Sequence, residues 1–264
     1  MKVFRIVLAA AAFPFASFAD APPRPPASSP YEVDTANVER QRDKAEKNYR
    51  RGVQFAEGEG VPKDYSAAAR FYRLAAGAGY APAQYELACL YEMGLGVERD
   101  PKQAAIWFRK AAEQGDAEAQ NNLGTLYAKG QGVPRDDAEA VHWYRLAAEQ
   151  NDPEATSNLA MMYLQGRAVK PDLMQAFQLL RRAAEQGCAA AQNNLALMYA
   201  NGQAVARDYV WAYAWLDLAA AQIPGSVDLR DRIGKEMTAD DIARARDLAA
   251  RKREELAQKG QASK

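Results

Sequence analysis

Apolar and polar positions recur along this chain in a fixed frame. "ELACLYEMGLGVERD" begins at residue 86, "NLGTLYAKGQGVPRD" at 122, "NLAMMYLQGRAVKPD" at 158 and "NLALMYANGQAVARD" at 194, a step of 36 residues each time. Ala83, Ala119, Ala155 and Ala191 are followed four residues later by Leu87, Leu123, Leu159 and Leu195. Next comes a small residue (Gly52, Ala88, Gly124, Ala160, Ala196), then an aromatic (Phe55, Tyr91, Tyr127, Tyr163, Tyr199). The spacing i, i+4, i+5, i+8 lays one apolar stripe along a helix, and the small position lets a second helix approach closely.

The frame also carries start and stop signals. Gly58, Gly94, Gly130, Gly166 and Gly202 follow the aromatic and suit the left-handed turn that ends a helix. A short loop holds Val61, Val97, Val133, Val169 and Val205 as an apolar plug. Asp64, Asp100, Asp136, Asp172 and Asp208 then stand where a second helix should begin, each able to accept from free backbone N–H groups. That helix has alanines at 68, 104, 140, 176 and 212, and Phe71, Trp107, Trp143, Leu179 and Trp215 three residues on. Alanine pairs close it, and Gly79, Gly115, Asn151 and Gly187 end it. Each unit is therefore predicted to be an antiparallel helix pair.

One such hairpin cannot bury its apolar face alone, so the units must stack into a continuous core. Five are expected, at about 45–80, 81–116, 117–152, 153–188 and 189–223, making an all-α solenoid over 37–223. The ends need polar caps. "NVERQRDKAEKNYRRG" (37–52) suits the first end. At the other, residues 224–258 are predicted to form capping helices, with Thr238 as N-cap, Asp241 at its third position and a Met237–Ile242 staple. Residues 259–264 are expected to be a disordered tail.

These columns resemble the Sel-one-like repeat (SLR), a relative of the tetratricopeptide repeat. Residues 119–151 match its pattern A-x-x-x-L-G-x-x-Y-x-x-G-x-G-V-x-x-D-x-x-x-A-x-x-W-x-x-x-A-A-x-x-G almost throughout, with Asn151 in place of the last glycine. The resemblance implies a right-handed solenoid of stacked hairpins, with the first helix of each pair lining a concave groove. Unit 1 departs by carrying Arg51 where leucine belongs. Ala168 and Ala204 replace the second loop glycine, so those two loops are expected to differ in shape.

Composition narrows the function. Lys+Arg and Asp+Glu both number 34, which lacks the basic footprint of a nucleic-acid binder. Lys2, Arg5, the apolar run 6–18 and the small residues Ser17 and Ala19 form a signal-peptide pattern over 1–19, with "ADA" at 19–21 as a second cleavage site. No cysteine follows that run, so a lipid anchor is not expected, and no membrane span should remain after cleavage. The Pro-rich stretch from 20 to 36 reads as a disordered tether. The expected location is therefore periplasmic or secreted.

No catalytic constellation emerges. The single histidine, His142, has no neighbouring nucleophile pattern or metal-type spacing and reads as a surface residue. The aspartate column recurs once per unit, too widely spaced to act on one bond, and is explained by capping. Cys89 and Cys188 lie about three units apart, too far for a disulfide at roughly 10 Å per helix layer. Cys188, in an inter-unit loop, could pair with another chain or remain a free thiol. No metal or cofactor is expected.

The candidate binding residues lie on the first helices. One row is Tyr49, Tyr85, Asn121, Ser157 and Asn193; the next is Val53, Cys89, Thr125, Met161 and Leu197; the third is Glu57, Met93, Lys129, Gln165 and Asn201. All are expected to be exposed, in a polar and nearly neutral groove. They vary between units while the core columns do not, as recognition requires and as unselected drift would also produce. Tyrosine, methionine and amides suit an interface. The expected activity is non-enzymatic binding of a protein or peptide by a monomer. The alternatives are a peptidoglycan or glycan binder and, more remotely, a β-lactam or cell-wall hydrolase.

Overall fold

The computed structural model describes residues 35–262; the signal-peptide pattern and most of the Pro-rich tether lie outside them. Twelve α-helices occupy the described residues. Ten form five consecutive pairs: α1 (Thr35–Glu57) with α2 (Tyr65–Gly77), α3 (Ala81–Met93) with α4 (Pro101–Ala112), α5 (Ala117–Lys129) with α6 (Asp137–Glu149), α7 (Pro153–Gln165) with α8 (Leu173–Ala184), and α9 (Ala189–Asn201) with α10 (Tyr209–Ala219). Within each pair the helices pack along their length, and each second helix packs on the next first helix. The result is an all-α solenoid. Two helices, α11 (Gly225–Gly234) and α12 (Ala239–Ala262), cover α10.

Each hairpin closes by the same local chemistry. The Asp100 carboxylate accepts from the backbone N–H groups of Lys102 (2.9 Å) and Gln103 (3.1 Å), while its own N–H donates to Tyr91 O (2.9 Å). Asp64, Asp136, Asp172 and Asp208 cap α2, α6, α8 and α10 in the same way. The first helices also have caps that the sequence reading missed. Asp116 accepts from Ala119 N (2.8 Å) and Asp152 from Ala155 N (2.6 Å), and Cys188 offers its sulfur to Ala191 N at 3.4 Å.

The interlock inside a pair centres one residue later than the tryptophan column suggests. Tyr72, Phe108, Tyr144, Leu180 and Leu216 are almost fully buried. A Cβ on Gly124 would lie 2.8 Å from the Tyr144 ring, and one on Gly52 would lie 2.5 Å from Tyr72, so the small column makes room for these side chains. Phe71 and Trp107 are only half-buried, and Trp143 is buried with its indole N–H donating to Glu139 (3.1 Å).

The joints between units use a buried amide. Gln84, Gln120 and Gln192 donate to the carbonyls of Ala76 (3.1 Å), Ala112 (3.1 Å) and Ala184 (3.3 Å), which end the second helix of the preceding unit. Gln114 and Gln150, from the far end of the same unit, donate to Gln84 (2.7 Å) and Gln120 (2.8 Å) in turn. At the fourth unit the side chain is Thr156, too short to reach. Arg182 replaces it, donating to Ala148 O and to Thr156 Oγ1, both at 3.1 Å. Arg73 and Arg109 also cross a joint to the hydroxyls of Tyr91 and Tyr127.

Two expectations need correction. Ala168 and Ala204 keep left-handed φ values of 54° and 65°, so the loops of units 4 and 5 retain the glycine conformation in an alanine. The C-terminal helix passes Gln258 and ends at Ala262, so residues 259–262 belong to it and not to a tail. Its start is fixed by Thr238, whose Oγ1 accepts from Asp241 N (3.1 Å) and donates to the Asp241 carboxylate (2.8 Å). Asp217 on α10 anchors both capping helices, accepting from Arg230 (2.9 Å) and Arg253 (3.1 Å).

Loop glycines in units 2 and 3 differ from their alanine counterparts in a measurable way. A Cβ on Gly132 would meet Pro101 O at 2.0 Å, and its φ is 71°. Gly132→Ala is therefore expected to destabilise by roughly 2–3 kcal/mol, through backbone clash and strain. Ala168→Gly should instead stabilise by about 1 kcal/mol by relieving the left-handed alanine. Chemical denaturation of both variants checks this; equal effects of the two would contradict it.

Candidate functional site

Side chains pass directly from one first helix to the next. Asn158 donates to Asn121 (2.9 Å) and Asn194 to the Met161 sulfur (3.4 Å), and α7 touches α9. These contacts place the first helices side by side as one continuous wall. The three expected rows fall on it at different depths. Glu57, Met93, Lys129, Gln165 and Asn201 are exposed, and Val53, Cys89, Thr125, Met161 and Leu197 are half-buried. The first row, Tyr49, Tyr85, Asn121, Ser157 and Asn193, expected to be exposed, is instead largely spent on structure. Ser157 is 3% exposed, while Asn121 is taken by Asn158 and Asn193 by Ser226 (2.9 Å). Tyr49 lies against Tyr72 and Tyr80, and Tyr85 against Phe108.

Helical geometry gives the reason. A step of four residues advances by about 40° around a helix of 3.6 residues per turn. The sequence 121, 125, 129 therefore winds from the seam between units onto the open wall. The open stripe follows i, i+4, i+7, i+11: Glu118, Asn122, Thr125 and Lys129 in unit 3. The overlooked column is Glu86, Asn122, Asn158 and Asn194, and its signal was the heptad-like spacing itself.

The groove is not uniformly neutral. In units 1 to 3, Glu57, Glu86, Asp116 and Glu118 gather around Tyr49 and Tyr85, and burial, followed by Glu118, Glu57 and Asp116, raises the Glu86 carboxyl pKa. Two adjoining depressions share Tyr49 and Glu86. One, of about 400 Å³, is walled by Pro82, Tyr85, Asp116 and Glu118; the other, of about 360 Å³, by Val53, Glu57, Lys63, Tyr65, Cys89 and Met93. Lys63, the cation at this end, lies 4.9 Å over the Tyr65 ring. The expectation of a nearly neutral groove fails here because the neutral whole-chain total hides an acidic first half of this wall.

The residues singled out for chemistry stand apart from one another. His142 is exposed on α6, its ring edge-on to Trp143. Both cysteines carry free thiols. Cys188 is buried, out of reach of another chain, and burial pushes its thiol up to about 11. The Cys89 thiol, in the second depression, is raised to about 12, by burial first and then by Glu86. No group of three or more metal-ligating side chains occurs among the described residues, and none of their helices is long and apolar enough to cross a membrane.

A sequence model of the Sel1 repeat matches residues 48–80, 81–116, 117–152, 153–188 and 189–223. Among solved structures, a Sel1 repeat protein from Oxalobacter formigenes is 31% identical with a TM-score of 0.71, over 80% of this chain and 86% of that one. The protective antigen c5321 of uropathogenic Escherichia coli, described as displaying an SLR fold, is 30% identical with a TM-score of 0.55, over 87% of this chain and 58% of that one. PilF of Pseudomonas aeruginosa, at 23% identity and a TM-score of 0.53, shares the fold alone, over 86% of this chain and all of that one. No curated protein gives a match.

The depression around Cys89 has a solution signature. An ordinary thiol ionises near pH 8.5, so alkylation of the urea-unfolded chain should level off above about pH 9.5. In the folded protein carrying Cys188→Ala, Cys89 alkylation is expected to keep accelerating through pH 10, because its raised pKa leaves the thiolate scarce until far higher pH. A native plateau below pH 9 would contradict this.

Proposed function

The chain belongs to the Sel1 repeat family, and from that premise we propose that it is a non-catalytic interaction module of the bacterial cell envelope, holding a protein or peptide partner against the wall of first helices. Sel1 repeats generally serve as protein-interaction modules. The observation that carries the reading for this chain is the contrast between joints and open stripe. The joints repeat the same buried glutamine or its Arg182 substitute, whereas the open positions change from Glu86 to Asn122 and from Met93 to Lys129 to Gln165. A wall of uniform architecture with non-uniform chemistry suits recognition of an extended partner.

The envelope setting is supported by the basic start, apolar run and small residues of 1–19.

The test is cross-linking and capture from the cell envelope. A protein carrying Met93→Ala, Asn122→Ala and Lys129→Ala should lose its cross-linked partner about tenfold with thermal unfolding unchanged, as befits several interface contacts. His142→Ala, on the second-helix side, should behave as the parent. Unaltered capture by the triple variant, or pelleting of the parent protein with purified cell-wall sacculi that the triple change abolishes, would contradict the reading.

A further inference from the structure

The first half of the wall differs from the second in both shape and charge. The two joined depressions lie on α1, α3 and the start of α5, and Tyr49 and Glu86 belong to both. Their apolar surface comes from Val53, Met93 and the tyrosine rings. Their acidic rim comes from Glu57, Glu86 and Glu118, none of which makes a salt bridge among the described residues. Asp116 is already committed to capping α5. Lys63 lines the second depression over the Tyr65 ring, so the two depressions hold one cation against Glu57, Glu86 and Glu118 and are net acidic.

Three carboxylates gathered without a cationic partner repel one another, and the half-buried one bears the cost most, as its raised pKa shows. A cation arriving between them would remove that repulsion. The array does not suit a bare metal ion, since no three ligating side chains converge among the described residues. A lysine or arginine fits better: a flexible apolar stem carries its charge into reach of the carboxylates, and stem and head can lie on Tyr49 and Tyr85. The depression beside Val53 and Met93 then requires an apolar side chain next to it.

Resting on the groove reading above, we propose that units 1 to 3 form the specificity-determining end of the wall and take an extended segment of a partner protein in which basic residues are interleaved with aliphatic ones. Glu86 and Glu118 bind the basic residue, and Val53 and Met93 receive the aliphatic one. The second half of the wall, with Gln165, Asn194 and Asn201, contributes length and adaptable hydrogen bonding. Complementarity of this kind raises the association rate and excludes acidic partners more than it adds raw affinity.

Three fluorescent decapeptides test this on the full protein by anisotropy: alternating Lys and Leu, alternating Glu and Leu, and alternating Lys and Ser. The Lys–Leu peptide is expected to bind tightest, and the Glu–Leu peptide not at all. Binding of the Lys–Leu peptide should weaken about tenfold in the Glu86→Gln, Glu118→Gln protein, and again between about 50 and 500 mM salt. Met93→Ser should abolish its advantage over the Lys–Ser peptide. Equal binding of the Lys–Leu and Glu–Leu peptides, or no effect of the double glutamine change, would overturn the proposal. So would a Glu86-dependent self-association, or Lys–Leu binding that appears only when residues 20–34 are removed; these would assign the site to a second copy or to the chain's own N-terminal stretch. If the peptide tests fail while the alanine triple variant still loses its envelope partner, the charge preference is wrong and the groove reading stands; if both fail, the groove reading falls too.

Discussion

The joint between one helix pair and the next is what the rest of this structure depends on. A single hairpin here leaves an apolar stripe on each side, and the ends of its second helix carry backbone carbonyls with no partner inside the helix. Stacking buries both. Turn N–H groups of Gly79, Gly115 and Gly187 give the Ala76, Ala112 and Ala184 carbonyls one bond each, and the glutamine column adds a second across the joint: one amide reaches back from a buried position and, at Gln84 and Gln120, is held by another amide from its own unit. Where the column fails, at Thr156, an arginine from the second helix of the same unit makes that second, cross-joint bond to the Ala148 carbonyl. That unrelated side chains make the same bond argues that a buried polar tie across the joint is the constraint, and glutamine one means of providing it.

This constraint also divides the wall of first helices into structural and open positions. Asn121, Ser157 and Asn193 are drawn into the seams and Asn158 and Asn194 reach across them, whereas Met93, Lys129, Gln165 and Asn201 face outward. A repeat protein can change those open residues with little effect on stacking, because each unit's stability rests on its neighbours and its core columns. The acidic concentration around Glu86 and Glu118 exists on such positions and is carried without disturbing the joints.

Much of the fold was legible because repetition turns weak signals into strong ones. One Asp before a helix is a hint, whereas Asp64, Asp100, Asp136, Asp172 and Asp208 in register leave little choice. The burial of Gln84, Gln120 and Gln192 was not read, although the column was visible, because glutamine is ordinarily a surface residue. The groove was the least legible part. Stepping by four residues followed the column but drifted around the helix, placing Ser157 outside when it is inside. Charge was misread for a different cause: a balanced total of 34 and 34 says nothing of where each sign gathers.

The most direct test of the central claim is the unfolding free energy of Gln120→Leu, which keeps the side-chain volume but removes the amide. Loss of about 1–3 kcal/mol, from removing the buried Gln120 bond to the Ala112 carbonyl and leaving Gln150 without its acceptor, is the expected result, with an unchanged denaturant slope. Stability within about 0.5 kcal/mol of the parent would show that the buried amides are incidental to the stacking, and that apolar contact alone holds the units in line.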